Sequence, residues 1–204
     1  MGITSATISL TRYRVEGDFA APVIETVGRA LKRHSISEID DESNDKSVGW
    51  TSLQHPFAPD FDGSSFVVGS YFVFSLRIDK KSIPPKVLQK HQAIESAKRL
   101  TQSGRDFLSN NEKKQIKDHV LNLLSLRIPA TPNIYDLLWN YEQHQLWFFT
   151  NLKSANEELE TLFIQSFGLN LIRLFPYTMA ELAADLSDSQ KDGLKMLKPL
   201  HLAS

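Results

Sequence analysis

The sequence predicts an α+β fold, with antiparallel sheets in two similar halves, βαββ and ββαβ, and a two-helix excursion between them. Two observations carry that prediction. Apolar residues switch between a spacing of two and a spacing of three to four along the chain. Proline and glycine punctuate the switches, above all Pro84-Pro85, Gly104, Pro129, Pro132 and Gly168. At 204 residues and 41% apolar, the chain can bury a real core as a single unit. That unit divides into a first β-rich lobe (1–83), a basic helical excursion (84–130) and a second α+β lobe (131–204).

The elements follow in order. Residues 5–15 alternate Ile8, Leu10, Arg12 and Arg14 against Thr7, Ser9, Thr11 and Tyr13, which is the period of a strand. Val23, Val27, Ala30 and Leu31 then fall at helical spacing within 21–36, with Pro22 in the first turn. The acidic stretch SEIDDESNDKS reads as a loop. VGWTSL and SFVVGSYFVFSLRI supply aromatic-rich strands, with Gly69-Ser70 as the turn or bulge. Pro84-Pro85 opens one helix that runs to about Gly104, and Asn110 or Asn111 caps a second to about Leu126. Residues 134–151 form a hairpin turning near Glu142-Gln143. Ser154 and Glu157 have the spacing of a capping box for a helix over 154–167, which Gly168 ends. A last strand spans 169–175, and TMAELAADLSDSQKDGLKML is amphipathic and helical.

Several classes of chemistry are excluded or weakened. With no cysteine there is no disulfide, thiolate metal site or cysteine nucleophile, which suits a reducing cytoplasm. No apolar run is long enough to span a bilayer, and the N-terminus lacks a signal-peptide apolar segment. The nucleophile-elbow, P-loop and dinucleotide glycine motifs are missing. His34, His55, His91, His119, His144 and His201 never form the paired spacing of a zinc protease helix. One metal-nuclease pattern does fit literally: Pro59-Asp60, then Asp79-Lys80-Lys81 at a strand end. Two carboxylates would hold Mg²⁺ while Lys81 orients water. The expectation is that Asp60 lies on a loop and the site is incomplete.

Charge is the stronger signal. Residues 77–117 hold eleven Lys/Arg and four Asp/Glu, a segment of +7, whereas the rest of the chain is −8. The expected phosphate contacts are Arg77, Lys80, Lys81, Lys86, Lys90, Lys98, Arg99, Lys113, Lys114 and Lys117, with Arg12 and Arg14 second in rank. Lys113, Lys114 and Lys117 crowd the first turns of a helix, where the dipole favours acids. Behind them, Ile116, Val120, Leu121, Leu123, Leu124 and Leu126 supply a stripe expected to be buried. Trp50, Phe72, Phe74, Trp139, Trp147 and Phe148 are expected mostly in the core rather than as stacking platforms for bases.

These same stretches resemble the RdgC recombination-associated proteins. The matching positions are Gly49 and Trp50, then Arg77, Lys80, Lys81, Ile83, Pro84 and Val87 around the strand end. Glu112, Lys113, Lys117, Asp118, Val120, Leu121 and Leu124 follow on the second helix, and Ser154, Ala155, Glu158 and Pro176 near the end. The resemblance implies a homodimeric, cytoplasmic and nucleoid-associated protein that encloses duplex DNA without sequence preference and needs no cofactor or membrane. It implies DNA coating rather than an established catalytic centre, although an exonuclease label attaches to such proteins. The competing readings are the Mg²⁺ nuclease of Asp60, Asp79 and Lys81, and a protein–protein module that has lost DNA. Two departures stand out: Leu126-Arg127-Ile128-Pro129 replaces the family's Pro-Arg-Ala-Phe, and the family's further C-terminal segment, which helps close a ring, does not follow the last helix.

Overall fold

A computed structural model describes the chain except for residues 1, 4, 20–21, 184–185 and 197–204. The elements are β1 (Thr11–Glu16), α1 (Val23–Arg33), β2 (Lys46–Thr51), β3 (Val67–Val68), β4 (Tyr71–Lys80), α2 (Pro85–Ser103) and α3 (Asn110–Ser125). They continue with β5 (Thr131–Asn140), β6 (Gln145–Phe148), α4 (Lys153–Phe167), β7 (Asn170–Arg173), α5 (Pro176–Ala183) and α6 (Asp188–Met196). The fold is α+β. Its two halves share one antiparallel sheet in the order β2-β4-β5-β6-β1-β7, with β3 hung on β4. The join is the long β4–β5 ladder, in register from Tyr71↔Asn140 to Lys80↔Thr131.

Strand alternation decides what each face does. Tyr13, Val15, Trp50, Phe72, Phe74, Leu76, Leu137, Trp139, Leu146 and Phe148 turn to one side. There they pack against Val27 and Leu31 of α1 and Leu159, Phe163 and Phe167 of α4. Trp139 lies 5.0 Å from the Phe163 ring and 5.2 Å from Phe167, edge-on or tilted as ring quadrupoles prefer. Five of the six aromatics singled out from the sequence are therefore core. Trp147 is the sixth, half-buried on the opposite face beside Tyr71.

The Gly-Trp pair has a steric reason. The chain after α1 returns against β2, where Ile36 N–H donates to Trp50 O at 3.0 Å and Trp50 N–H to His34 O at 2.9 Å. A Cβ on residue 49 would lie 2.5 Å from the Ile36 backbone, so only glycine fits there. The Trp50 indole N–H meanwhile donates to Ser166 Oγ at 2.8 Å, tying β2 to α4.

Some local expectations shift. Residues 5–10 precede β1 rather than belonging to it. The last amphipathic stretch is two helices, α5 and α6, with residues 184–185 between them and residue 197 outside the described residues. Ser154 is not a cap, because α4 begins one residue earlier with Leu152 in the capping position. Tertiary contact sets that start: Asn156, fully buried, donates to Leu152 O at 2.7 Å and accepts from the Tyr13 hydroxyl at 2.6 Å.

Candidate nucleic-acid interface

The chain leaves the sheet at the end of β4 and returns at the start of β5, and everything between is a helical hairpin. Pro84 caps α2 and Pro85 fills its first position, where a missing N–H costs nothing. Gly104 ends α2 at φ 62°, in the left-handed region. Ser109, not Asn110 or Asn111, caps α3: its side chain accepts from Glu112 N–H while Glu112 reaches back to Ser109 N–H. Glu112 also pairs with Arg105. The Ser109 backbone bond, then Arg105, hold the Glu112 carboxyl down at about 2. This acid supplies the negative charge that the lysines withhold from the helix N-terminus.

The arm has a core of its own. Leu108, Ile116, Val120 and Leu124 are buried against Val87, Leu88, Leu100, Ile83 and Ile128. The stripe is thus narrower than the sequence suggests, with Leu121 half-buried and Leu123 and Leu126 exposed. No residue of α2 is fully buried. At 1.5 Å per residue, the 16 residues of α3 make an arm roughly 24 Å long.

Two of the expected phosphate contacts sit inside the protein. Lys81 is 5% exposed, and its ammonium donates to Ser125 O at 2.6 Å, Glu42 O at 2.8 Å and Asp40 O at 2.9 Å. All three of its protons are used, so it fastens the foot of α3 to the acidic loop. Ala130 N–H adds a bond to Asp40 Oδ1 at 2.8 Å. Arg77 is 3% exposed on the face of the sheet opposite the main core. Its guanidinium grips Asp79 with two bonds of 2.8 and 2.6 Å, then reaches Glu38 at 2.9 Å and Pro56 O at 3.3 Å. Phe57 covers it at 5.2 Å. Burial works against its charge, but the bonds to Asp79 and Glu38 prevail and raise its pKa. Neither cation can turn to a phosphate without leaving buried partners unpaired.

The same bonds dismantle the nuclease constellation. Both Asp79 oxygens are occupied by Arg77, and Lys81 faces carbonyls. Asp60 lies apart on the loop, accepting from Asp62 N–H at 2.8 Å and lining a hollow with His55 and Ser65.

The other expected contacts are all exposed: Lys80, Lys86, Lys90, Lys98, Arg99, Lys113, Lys114 and Lys117. Lys98 pairs with Glu95 at 2.6 Å. Lys113, Lys114 and Lys117 share a cleft of about 380 Å³ with Gln92 and Ser96 of α2. Lys98 and Arg99 line another of about 460 Å³ with Gln115 and His119. The basic residues therefore flank both sides of the hairpin. Arg12 and Arg14 do not join them. Arg14 is level with Gln145, which is level with Asn140 and Tyr71, at the far end of β4 from Lys80. Nine residues of strand separate the two levels by roughly 30 Å. Sequence reasoning missed Glu38, Asp40 and Phe57, whose acidic or loop setting gives no sign of their buried partners.

Fold and arm together define the class: an α+β sheet protein with a cationic helical hairpin inserted between two neighbouring strands. Among the described residues no helix is long and apolar enough to cross a membrane. The chain belongs to the RdgC family, whose model, described as "Putative exonuclease, RdgC", matches residues 9–185. A search of curated proteins finds no significant match.

Proposed function

We propose that this protein binds duplex DNA without regard to sequence through the α2–α3 arm, and serves recombination by coating or encircling the duplex rather than cutting it. The observation that carries the reading is the set of exposed cations on the arm. Lys86, Lys90, Arg99, Lys113, Lys114 and Lys117 have no ion-pair partner among the described residues. A duplex carries one charge per roughly 1.7 Å, so an arm of this length runs beside about fourteen phosphates. Lysines meeting phosphates release counterions and read no bases, which is the physics of sequence-independent binding. Family membership supports a role beside DNA. A nuclease built on Asp60, Asp79 and Lys81 has little support, since Asp79 and Lys81 are committed to internal partners. The homodimer and the nucleoid location belong to the same proposal.

The test is binding of two unrelated duplexes across a salt series, beside a cleavage time course with Mg²⁺ and Mn²⁺. The expected result is equal affinity for both duplexes, with a log–log salt slope of up to about −5 if all six cations engage. Failure to bind at low salt would leave the protein–protein module as the better reading. Degradation abolished by Asp79→Ala would promote the nuclease.

A further inference from the structure

The tip of the arm presents a phenylalanine to solvent. Phe107 is 76% exposed, one of the most exposed large apolar side chains among the described residues. Its neighbour Leu108 is buried at 7% in the arm's core. The loop runs from the left-handed Gly104 to the Ser109–Glu112 box, and the Arg105–Glu112 pair closes across it. With Leu108 turned inward, the Phe107 ring stands outside the arm's core.

Its surroundings select the occupant. From Lys98 to Lys117 there are six cations; Lys98 pairs with Glu95 and Arg105 with Glu112, which leaves Arg99, Lys113, Lys114 and Lys117 without an ion-pair partner among the described residues, against the single acid Asp106. Lys113, Lys114 and Lys117 lie within the first eight residues of α3, which is about 12 Å of helix axis. That span is about one and a half Debye lengths at physiological salt and about seven phosphates of a duplex, so a duplex lying along these lysines extends as far as the tip. An apolar protein partner gains nothing from four unpaired cations beside its anchor. A duplex gains from both, since the lysines neutralise phosphates while an apolar side chain parts a base step.

We infer that Phe107 is a wedge, inserted between base pairs of the duplex held by the arm and kinking it at flexible pyrimidine–purine steps. This rests on the duplex-binding reading above, but it adds a contact to the bases themselves and a change in DNA shape. It also gives the protein a mild preference for deformable, mismatched or underwound DNA with no readout of base identity.

The experiment compares wild type, Phe107→Ala and Phe107→Leu on duplexes carrying 2-aminopurine at a central TA step, with end-labelled duplexes reporting bend by energy transfer. Wild type is expected to raise 2-aminopurine emission and shorten the end-to-end distance. Phe107→Ala should lose both signals and about tenfold in affinity while keeping its salt slope and melting temperature. Phe107→Leu should retain part of each signal. If wild type binds but emission, bend and affinity are the same in Phe107→Ala, the wedge is refuted while duplex binding stands. If wild type does not bind duplex at all, both ideas fall. A change of oligomeric state in Phe107→Ala with unaltered 2-aminopurine emission makes a second copy of the chain the occupant and overturns the inference. Binding of Phe107 to anionic vesicles, with no emission change on DNA, overturns it in favour of a lipid surface.

Discussion

Replacing Lys81 by Met removes an ammonium and keeps most of the stem's volume, which isolates what the charge does. In the native protein that charge bonds three carbonyl oxygens at 2.6–2.9 Å, on Ser125, Glu42 and Asp40. Hydrogen bonds to a charged group contribute about 1.5–3 kcal/mol each before the cost of burying the ion is subtracted. That cost is several kcal/mol, so the net loss expected from Lys81→Met is about 2–4 kcal/mol. For a chain of this size the melting temperature should fall by about 5–15 °C. The assay pairs urea melts followed by circular dichroism with a salt titration of duplex binding under conditions where the variant is folded. A buried fastener predicts lower stability and an unchanged salt slope. A phosphate contact predicts unchanged stability and a slope shallower by about 0.9. Observing the second pattern would refute the structural argument for Lys81.

Other outcomes follow from the same geometry. Changing Lys113, Lys114 and Lys117 together to Gln should make the salt slope shallower by up to about 2.7 and weaken all duplexes alike, with little change in the thermal melt. Leu124→Ala should cost about 2–5 kcal/mol by urea denaturation, whereas Leu121→Ala, half-buried, should cost clearly less. Glu112 titrates at about 2 in the folded arm against 4.5 ordinarily, held down by the Ser109 backbone bond and then by Arg105. Because the folded value is the lower one, its contribution is complete above about 4.5 and is lost as pH falls towards 2. Helical ellipticity of wild type and Glu112→Gln should therefore converge across that window.

How much of this was legible in the sequence depends on whether the deciding contact is local. The arm's limits were readable because Pro84-Pro85 and Gly104 act on their own backbone. The β5–β6 hairpin was readable for the same reason, its turn occupying residues 141–144. Ser109 and Glu112 carry the capping-box spacing and form the box in the exposed arm. Ser154 and Glu157 carry the same spacing and do not, because Asn156 docks on Tyr13 and sets the start of α4 from a distance. The excess of cations over residues 77–117 was visible, but its division into inside and outside was not. Glu38, Asp40 and Glu42 lie about forty residues upstream in a stretch that reads as solvated loop. Only the folded sheet brings them over Arg77 and Lys81. Arg77, expected to meet phosphate, shares its face of β4 with Ser75 and Asp79, and all three are buried.

The register Lys80↔Thr131 has a consequence for how the chain finds its fold. The longest ladder in the sheet can zip only after the chain from 81 to 130, about fifty residues, has closed a loop. If α2 and α3 pair first, only about fifteen of those residues remain outside helices. Closure entropy grows with the logarithm of free length, so the paired hairpin lowers that cost by about 1 kcal/mol. The hairpin is then a scaffold for nucleation, delivering two distant strand ends to the same place, and slowing its formation should slow the zipping of the central strands behind it.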